Sequence, residues 1–367
     1  MLLRAIFLAS AGALAWTHVG YPAAAAALAR VRRRAVRAES IEPTVSVIVA
    51  AHDEEAVIAR RIENLLELDY PPEKLEVAVA SDASTDRTDE IVEGFASSDS
   101  RVRLVRCPRG GKVLAQNRAV RETSGEILAF SDANATWARE ALRKLVRSFA
   151  DADVAYVCGR LVLRAPDGTN REGAYWRFET WLREQESALG SITGGNGAIY
   201  AVRREDYPEV DARFGHDLSL PYLLVQRGRR AVFDPDALAY EKPSRDVEDE
   251  YRRKVRMFEH CWLITLRGRM FHDTPPLYLS QLVSHRLLRY GSGLLHLTLL
   301  GSSAALAARS PFFRAALAAQ LAVLAAAAAR PGLARYYVLV SWATVEALVG
   351  YLRHGVPAVW EKAEGTR

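Results

Sequence analysis

The chain has 367 residues, half of them hydrophobic, and a formal net charge of +5. This length allows one large domain with appendages or two domains. The modest positive charge, with no nucleic-acid-binding motif beside it, argues against a nucleic acid as the partner.

The first 29 residues are almost entirely apolar and are followed by a basic run. A cleaved signal peptide would use Arg4 as its charged start and the alanine-rich end as its cleavage site. Positive charge after an apolar segment favours retention on the cytoplasmic side instead. We therefore predict an N-terminal transmembrane anchor at 1–29, with a basic linker at 30–42 that lies against the membrane surface.

From residue 43 onward, strand and helix patterns alternate. The predicted strands are Val45–Ala51, Leu75–Ala80, Val102–Val105, Ile127–Ser131 and Val154–Leu163, and the predicted helices between and after them are Asp53–Leu68, Thr85–Phe95, Lys112–Glu122 and Trp137–Phe149. Apolar strands separated by helices of this length indicate an α/β fold with a mainly parallel sheet covered on both faces. Ligands of such sheets bind at the carboxyl ends of the strands.

Beyond this sheet, the sequence predicts an amphipathic helix at 173–190, a glycine-rich loop at 193–200 and a charged helix at 246–269. An interfacial segment at 273–286 precedes apolar segments at 287–308, 315–329 and 336–352. We interpret 287–353 as transmembrane helices and 354–367 as a tail; a soluble helical cap is the alternative. The middle segment is short for a span of about 20 residues, so the number of spans stays open.

Polar residues follow three of the predicted strands. They are His52, Asp53, Glu54 and Glu55 after the first; Ser81, Asp82, Ser84, Thr85 and Asp86 after the second; and Ser131, Asp132 and Asn134 after the fourth. Arg109–Lys112 adds a flexible loop with a cation at a helix start. Each group alone could be a helix cap or a turn. Together at one sheet edge, oxygen ligands and a lysine suit Mg²⁺ or Mn²⁺ and a nucleotide diphosphate.

These motifs resemble those of the family 2 glycosyltransferases, over roughly residues 43–270. The resemblance rests on 46–55 (SVIVAAHDEE), 81–88 (SDASTDRT), Gly111–Lys112 with Asn117, and Ser131–Asn134. It implies a GT-A fold in 43–272, a nucleotide-diphosphate-sugar donor and a divalent cation. The flanking apolar segments resemble those of membrane-bound members such as cellulose and hyaluronan synthases.

The resemblance also implies roles for single residues. Asp82 and Glu54 match the nucleobase side of the donor site, and Lys112 lies near the nucleotide. Asp132 and Asn134 match the metal-binding DxD motif, with a neutral ligand at its second position. Acceptor-side and catalytic matches complete the set: Gly195, Asn196 and Gly197 for the acceptor loop, and Asp217 for the general base.

Two positions depart from the family pattern. His216 replaces the usual first carboxylate before Asp217, so its role is open. In the segment that resembles Gln-x-x-Arg-Trp, only Arg256 is retained, as a residue facing the diphosphate, and Met257 stands in place of the tryptophan. The missing aromatic platform weakens the interpretation as a processive synthase.

The resulting prediction is an inverting glycosyltransferase at the cytoplasmic membrane face, acting on a lipid-linked or glycan acceptor. A processive polysaccharide synthase that translocates its product is the runner-up, and a catalytically inactive membrane scaffold is a third possibility. A dinucleotide-binding dehydrogenase is rejected, because the first strand is followed by AAHDEE and not by G-x-G-x-x-G. Cys107, Cys158 and Cys261 show neither metal-ligand spacing nor a disulfide framework, which fits a reducing compartment.

Overall fold

The computed structural model describes residues 1–164, 173–243, 247–330, 332–357 and 359. The chain divides into two compact units. One comprises Met1–Ala27, Asp246–Arg269 and Pro276–Val356, and the other comprises Leu28–Arg245, Met270–Pro275 and Pro357–Arg367. We call them the helical unit and the sheet unit.

In the described part of the sheet unit, eight strands form a single sheet in the order β3-β2-β1-β4-β7-β6-β8-β5. They are β1 Val45–Ala51, β2 Leu75–Asp82, β3 Val102–Cys107, β4 Ile127–Asp132, β5 Thr136–Trp137, β6 Val154–Leu163, β7 Tyr200–Arg203 and β8 Arg230–Glu241. β1, β2, β3 and β4 pair in parallel, as do β6 and β8. The predicted α/β class with a mainly parallel sheet is therefore confirmed.

The described helices, in chain order, are α1 Leu2–Ala15, α2 Tyr21–Val31, α3 Ile58–Leu66, α4 Thr88–Ser98, α5 Lys112–Glu122, α6 Ala141–Arg147, α7 Ala174–Leu189, α8 His216–Gln226, α9 Val247–Arg267, α10 Pro276–Gln281, α11 Leu288–Tyr290, α12 Ser292–Ala307, α13 Pro311–Ala329 and α14 Leu333–His354. Two π-helical turns, Trp16–Gly20 and Leu282–Leu287, lie between α1 and α2 and between α10 and α11.

The central strand β1 explains why both faces of the sheet are covered. Its side chains alternate between faces: Val45, Val47 and Val49 enter one buried apolar core, and Ile48 enters the other. β1 is buried on both sides, so its continuous apolar run is the pattern expected for such a strand. The carboxyl ends of β1, β2 and β4 consequently meet at one edge.

Three predicted helices begin later in the structure; the helix predicted at Thr85–Phe95 is Thr88–Ser98. The helix predicted from Asp53 begins at Ile58, because the preceding segment is held by the loop after β2. The helix predicted at 137–149 begins at Ala141, since Thr136–Trp137 pairs with Tyr240 and Ala239 of β8. The sequence analysis did not predict β5, β7 or β8; β7 lies antiparallel between β4 and β6, and β8 pairs with β6.

In the helical unit, α1 packs on α12, α12 on α13, and α14 on both α13 and α9. Phe7, Leu306 and Phe313 form a buried apolar cluster. Two helices of the described chain are long and apolar enough to cross a membrane, Leu2–Val31 and Pro311–Ala329; Ser292–Ala307 is apolar but shorter. Of the three predicted C-terminal apolar segments, only the one in Pro311–Ala329 is therefore supported as a membrane span among the described residues.

Candidate active site

The tips of β1 and β2 are tied together by polar contacts. The Asp53 carboxylate accepts hydrogen bonds from the backbone N–H of Thr85 at 2.6 Å and of Asp86 at 3.4 Å. His52 Nδ1 lies 2.9 Å from the backbone oxygen of Asp82. Asp53 and Ala83 adopt positive φ angles of 51° and 54°, which non-glycine residues rarely do. Such strained backbone is common at functional sites.

Asp82 organises the loop that follows β3. Its carboxylate accepts hydrogen bonds from the N–H groups of Gly110 at 2.7 Å and Gly111 at 3.0 Å, and it forms an ion pair with Arg109. Gly111 has a φ of 90° and leads directly into α5. Asp82, the predicted nucleobase ligand, is only 4% exposed and holds in place the loop that leads into Lys112.

Lys112 forms an ion pair with Asp132 at the end of β4. Burial lowers the pKa of the lysine, but Asp132, Asp217 and Glu241 outweigh that effect, so the pKa is raised. The charges that act on Lys112 therefore come from three separate elements, and the lysine stays protonated at neutral pH.

Gly197 leaves open the space beside this ion pair. A Cβ atom at that position would lie 3.1 Å from Lys112 Nζ and 3.2 Å from Asp132 Oδ2. The absence of a side chain in the loop after α7 therefore keeps both charged groups accessible.

The predicted oxygen donors for a cation are Asp132 and Asn134, which are both half-buried. Among the described residues, no three His, Cys, Asp or Glu side chains lie close enough to hold a metal without help. The Asp132 carboxylate beside the space at Gly197, with the amide oxygen of Asn134 two residues later, fits Mg²⁺ or Mn²⁺ only if other ligands complete the shell. A diphosphate is suited to supply them.

Glu241 was not predicted from the sequence, yet it lies near Asn134, one of the predicted metal ligands. Thr136 of β5 is paired with Tyr240 of β8, so Glu241 comes next to the Asn134–Ala135 segment. Its charge acts on both Lys112 and Arg61. Only long-range strand pairing brings it here, and no local sequence signal could have found it.

Arg61 is a second unpredicted residue, on α3 behind Asp132. Its side chain is 2% exposed, donates to Ser131 Oγ at 2.7 Å, and lies over the Trp137 ring at 5.0 Å from the ring centroid. Burial lowers its pKa to about 9, while Asp132 and Glu241 act in the opposite direction. The guanidinium thus remains charged at neutral pH and faces Asp132 from the interior.

Asp217 lies in the first turn of α8, where a carboxylate is favoured by the helix dipole. Its backbone oxygen accepts a hydrogen bond from Gly195 N–H at 2.6 Å. A Cβ at Gly195 would lie 2.1 Å from the Tyr156 hydroxyl, so glycine is needed there. The predicted general base is therefore joined to the predicted acceptor loop through the main chain.

His216 belongs to a buried chain of hydrogen bonds. Its Nδ1 lies 2.8 Å from the Tyr200 hydroxyl and its Nε2 lies 3.3 Å from the Tyr207 hydroxyl, which in turn donates to Asn117 Oδ1 at 2.6 Å. The Phe130 ring stacks on both tyrosine rings. Burial, with a smaller effect of Lys112, lowers the pKa of His216 to about 3. His216 is therefore a neutral residue that fixes the start of α8.

Asn196 is engaged within its own loop. Its amide nitrogen donates to Gly159 O at 2.8 Å, and its amide oxygen accepts from Ala198 N–H at 3.1 Å and Ile199 N–H at 3.0 Å. These bonds shape the Gly195–Gly197 segment. Its role toward an acceptor stays a prediction.

The remaining predicted residues lie at the end of β1 and on α9. Glu54 is 5% exposed, and its N–H donates to Thr88 Oγ1 at 2.8 Å. Arg256 lies on α9, which belongs to the helical unit, and its donor-binding role stays a prediction. Within the sheet unit, the structure brings Lys112, Asp132 and Asp217 together electrostatically.

Comparison with known proteins points to one family. Residues 46–210 match the model described as Glycosyl transferase family 2. A beta-monoglucosyldiacylglycerol synthase of Nostoc sp. is 34% identical over 195 residues, covering 52% of this chain and 42% of the relative. An N-acetylglucosaminyltransferase of Rhizobium meliloti is 29% identical over 251 residues, covering 60% of this chain and 57% of the relative. The chain thus spans about half of these relatives' length.

A solved structure resembles nearly the whole chain. It is the mannosyltransferase PcManGT of Pyrobaculum calidifontis, in complex with GDP-Man and Mn²⁺. The two structures superpose with a TM-score of 0.73 at 27% sequence identity, covering 96% of this chain and 99% of the other. This similarity extends through both the sheet unit and the helical unit.

Proposed function

We propose that the chain transfers a sugar from a nucleotide-diphosphate donor to a lipid-linked or glycan acceptor, because residues 46–210 match the glycosyl transferase family 2 model. The observation that carries the proposal is the ion pair between Lys112 and Asp132, a residue at the end of β4, with open space beside it at Gly197. The charge of Asp217, at the start of α8, acts on the same lysine. A donor-binding carboxylate and a candidate base that both act on one cation suit group transfer between two bound substrates.

The donor is placed by its diphosphate. Lys112 lies at the N-terminus of α5. The positive charge of its side chain and the positive end of the helix dipole both attract a diphosphate. Asp132 and Asn134 are the residues that would hold Mg²⁺ or Mn²⁺. When bound, the cation neutralises charge that develops on the leaving diphosphate. The Mn²⁺ in the similar mannosyltransferase structure supports this choice of cofactor.

Asp217 is the proposed general base. Its carboxylate takes the proton from the acceptor hydroxyl as that oxygen attacks the anomeric carbon, and the bond from that carbon to the diphosphate breaks. One displacement from the face opposite the leaving group inverts the configuration. His216 holds no charge at neutral pH and supports the position of its neighbour.

The acceptor and the location are supported by two observations. One relative is named for the synthesis of a monoglucosyldiacylglycerol, a glycolipid. Leu2–Val31 and Pro311–Ala329 are long and apolar enough to span a bilayer. We propose that the chain is held in the cell membrane by these helices, with its sheet unit in the cytoplasm because the basic run follows the first of them.

The test compares nucleotide-diphosphate release by the purified full chain and by Asp217→Asn. Sugars linked to UDP, GDP and dTDP are supplied with Mn²⁺ and a lipid extract as the acceptor source. Loss of the base is expected to lower turnover by about 10²- to 10⁴-fold, while donor-induced thermal stabilisation stays unchanged. Asp211→Asn, an exposed carboxylate six residues earlier, serves as the control. Equal slow release by wild type and Asp217→Asn with every donor would count against the proposal.

A further inference from the structure

The hydrogen bonds around His216 form a chain that starts and ends on α5. The Tyr207 hydroxyl donates to Asn117 Oδ1, so its oxygen meets His216 Nε2 as an acceptor, and the single proton of the neutral imidazole lies on Nε2. His216 Nδ1 is then an acceptor and receives the bond from the Tyr200 hydroxyl. Gln116 Nε2 donates to the Tyr200 oxygen at 3.4 Å. We call these five residues the His216 network.

Every bond of the His216 network points in one direction along the chain of donors and acceptors. Histidine suits this arrangement because a neutral imidazole has one donor and one acceptor nitrogen, and both are used. The ionised carboxylate that the family pattern has at position 216 only accepts, so it could not bond to Tyr207 while Tyr207 donates to Asn117. His216 is buried, and a buried polar group that loses its partner is costly. The imidazole therefore has one favoured place relative to α5.

Aromatic packing fixes the orientation of the rings in the His216 network. The Phe130 ring stacks on the rings of Tyr200 and Tyr207, with centroid distances of 4.8 and 5.8 Å. It also meets the His216 ring edge-on at 5.5 Å. Phe130 lies on β4, two residues before Asp132. The network is thus packed against the strand that ends at a predicted metal ligand.

The first turn of α8 takes its position from neighbouring segments. Pro221 has no N–H, so it cannot donate to the carbonyl of Asp217, four residues earlier in the helix. That carbonyl accepts from Gly195 N–H instead, at 2.6 Å. Gly215, which precedes the helix, has no side chain with which to cap it. The turn is therefore held through Gly195 at its backbone and through His216 at its side chain.

The His216 network joins the helix of Lys112 to the helix of Asp217. Gln116 follows Lys112 by one helical turn, about 6 Å along α5, and Asp217 follows His216 directly. We propose that the network residues are positioning residues that set the place of Asp217 relative to Lys112, so that a donor held by the lysine stands at a fixed distance from the base. This inference rests on the proposed function and gives the network a role in it.

The proton position in the His216 network is tested by NMR of the imidazole nitrogens in the histidine-labelled full chain at neutral pH. The signals of His216 are identified by their loss in His216→Gln. We expect a proton on Nε2 and none on Nδ1, and Tyr200→Phe should shift the Nδ1 signal because it removes the donor. A proton on Nδ1, or a charged ring, overturns the proposal.

The same signals report whether donor binding reaches the network. UDP or GDP with Mn²⁺ should shift them, because the diphosphate acts on Lys112 one turn before Gln116. Signals that stay in place although the nucleotide raises the melting temperature overturn the proposal. A chain that no nucleotide stabilises contradicts the proposed function instead, and the position of the proton still decides the network.

The positioning role is tested by nucleotide-diphosphate release in the double variant Tyr200→Phe with Tyr207→Phe. We expect kcat to fall by at least about 10-fold, since a small displacement of a catalytic group is costly, while the donor KM stays as in wild type. Tyr207→Phe alone is the milder variant if the double variant does not fold.

Tyr70→Phe is the matched control, because it also removes a phenol hydroxyl from the sheet unit, one that donates to Pro43 O. It should keep the kcat of wild type. A folded Tyr200→Phe/Tyr207→Phe chain with the kcat of Tyr70→Phe overturns the proposal. Loss of donor affinity in proportion to kcat does so too, because it would place the network in donor binding alone.

Discussion

At the scale of single residues, the site depends on how each ionisable group is held. Asp82, Asp132 and Asp217 each stand where the sequence places them, at a strand end or helix start. Asp82 pairs with Arg109, and Asp132 pairs with Lys112; both cations belong to the Arg109–Lys112 loop that the sequence analysis singled out. Arg61 and Glu241 could not be predicted, because only folding over long stretches of chain brings their charges to the site. The sequence therefore identifies the acids and the loop with their cations, and the fold adds Arg61 and Glu241.

His216 gives a prediction for stability against pH. Its pKa is lowered to about 3 in the folded chain, against an ordinary value of 6.5. Between these values the unfolded chain binds a proton that the folded chain does not, so the free energy of unfolding falls as the pH drops from about 6.5 toward 3. His216→Gln is expected to reduce this acid sensitivity in denaturation curves.

The control is His272→Gln, whose side chain is exposed in the same unit. It should leave the slope of stability against pH unchanged. A His216→Gln chain with the wild-type slope would show that its imidazole is not kept neutral by burial.

At the scale of elements, prediction from sequence succeeded for strands and helices whose own apolar pattern is sufficient to identify them. β1, β6 and α5 have the bounds expected from their apolar patterns. β7 was missed because Tyr200–Arg203 is short and follows a glycine-rich loop, and the start of α6 because Trp137 pairs with a strand about a hundred residues later. β8 was missed because Asp234, Pro235 and Asp236 interrupt its apolar pattern. Short elements take their form from distant partners, which periodicity does not reveal.

The loop that carries Gly197 provides a prediction at this scale. In Gly197→Ala, the new methyl group would lie 3.1 Å from Lys112 Nζ and 3.2 Å from Asp132 Oδ2, in space needed by a diphosphate. We expect the donor Kd to rise by about 10-fold, measured by calorimetry with Mn²⁺, and the melting temperature to change little.

The matched control is Gly94→Ala on α4, where the new Cβ atom meets no atom within 4 Å. Alanine in a helix is favoured over glycine by about 1 kcal/mol, so this change should be neutral or stabilising. Unchanged donor affinity in Gly197→Ala would mean that the diphosphate lies elsewhere.

At the scale of the whole molecule, the apolar segments decide where the chain resides. Leu321 of α13 is 50% exposed, although it lies in one of the two helices apolar enough to span a bilayer. Leu114 on α5 of the sheet unit is exposed to a similar extent, 46%. We expect Leu321 to face lipid and Leu114 to face water.

Substitution by lysine distinguishes the two surroundings. A lysine in the centre of a membrane helix costs about 2.5–3.5 kcal/mol on insertion scales. Leu321→Lys is expected to reduce the amount of chain that resists carbonate extraction from membranes, whereas Leu114→Lys should leave it unchanged. Equal membrane retention of both variants, or a wild-type chain found in the soluble fraction, would contradict the transmembrane assignment.

The loop held by Asp82 runs without interruption into Lys112, and Lys112 pairs with Asp132. The ends of β2, β3 and β4 are therefore linked by hydrogen bonds and an ion pair, from the side proposed for the nucleobase to the side proposed for the cation. A change in the contacts of Asp82 should therefore alter the position of Lys112 and Asp132, so we expect the nucleoside and the diphosphate to bind cooperatively. In a double-mutant cycle on donor affinity, Asp82→Asn and Asp132→Asn should be non-additive, with a coupling of about 0.5–3 kcal/mol.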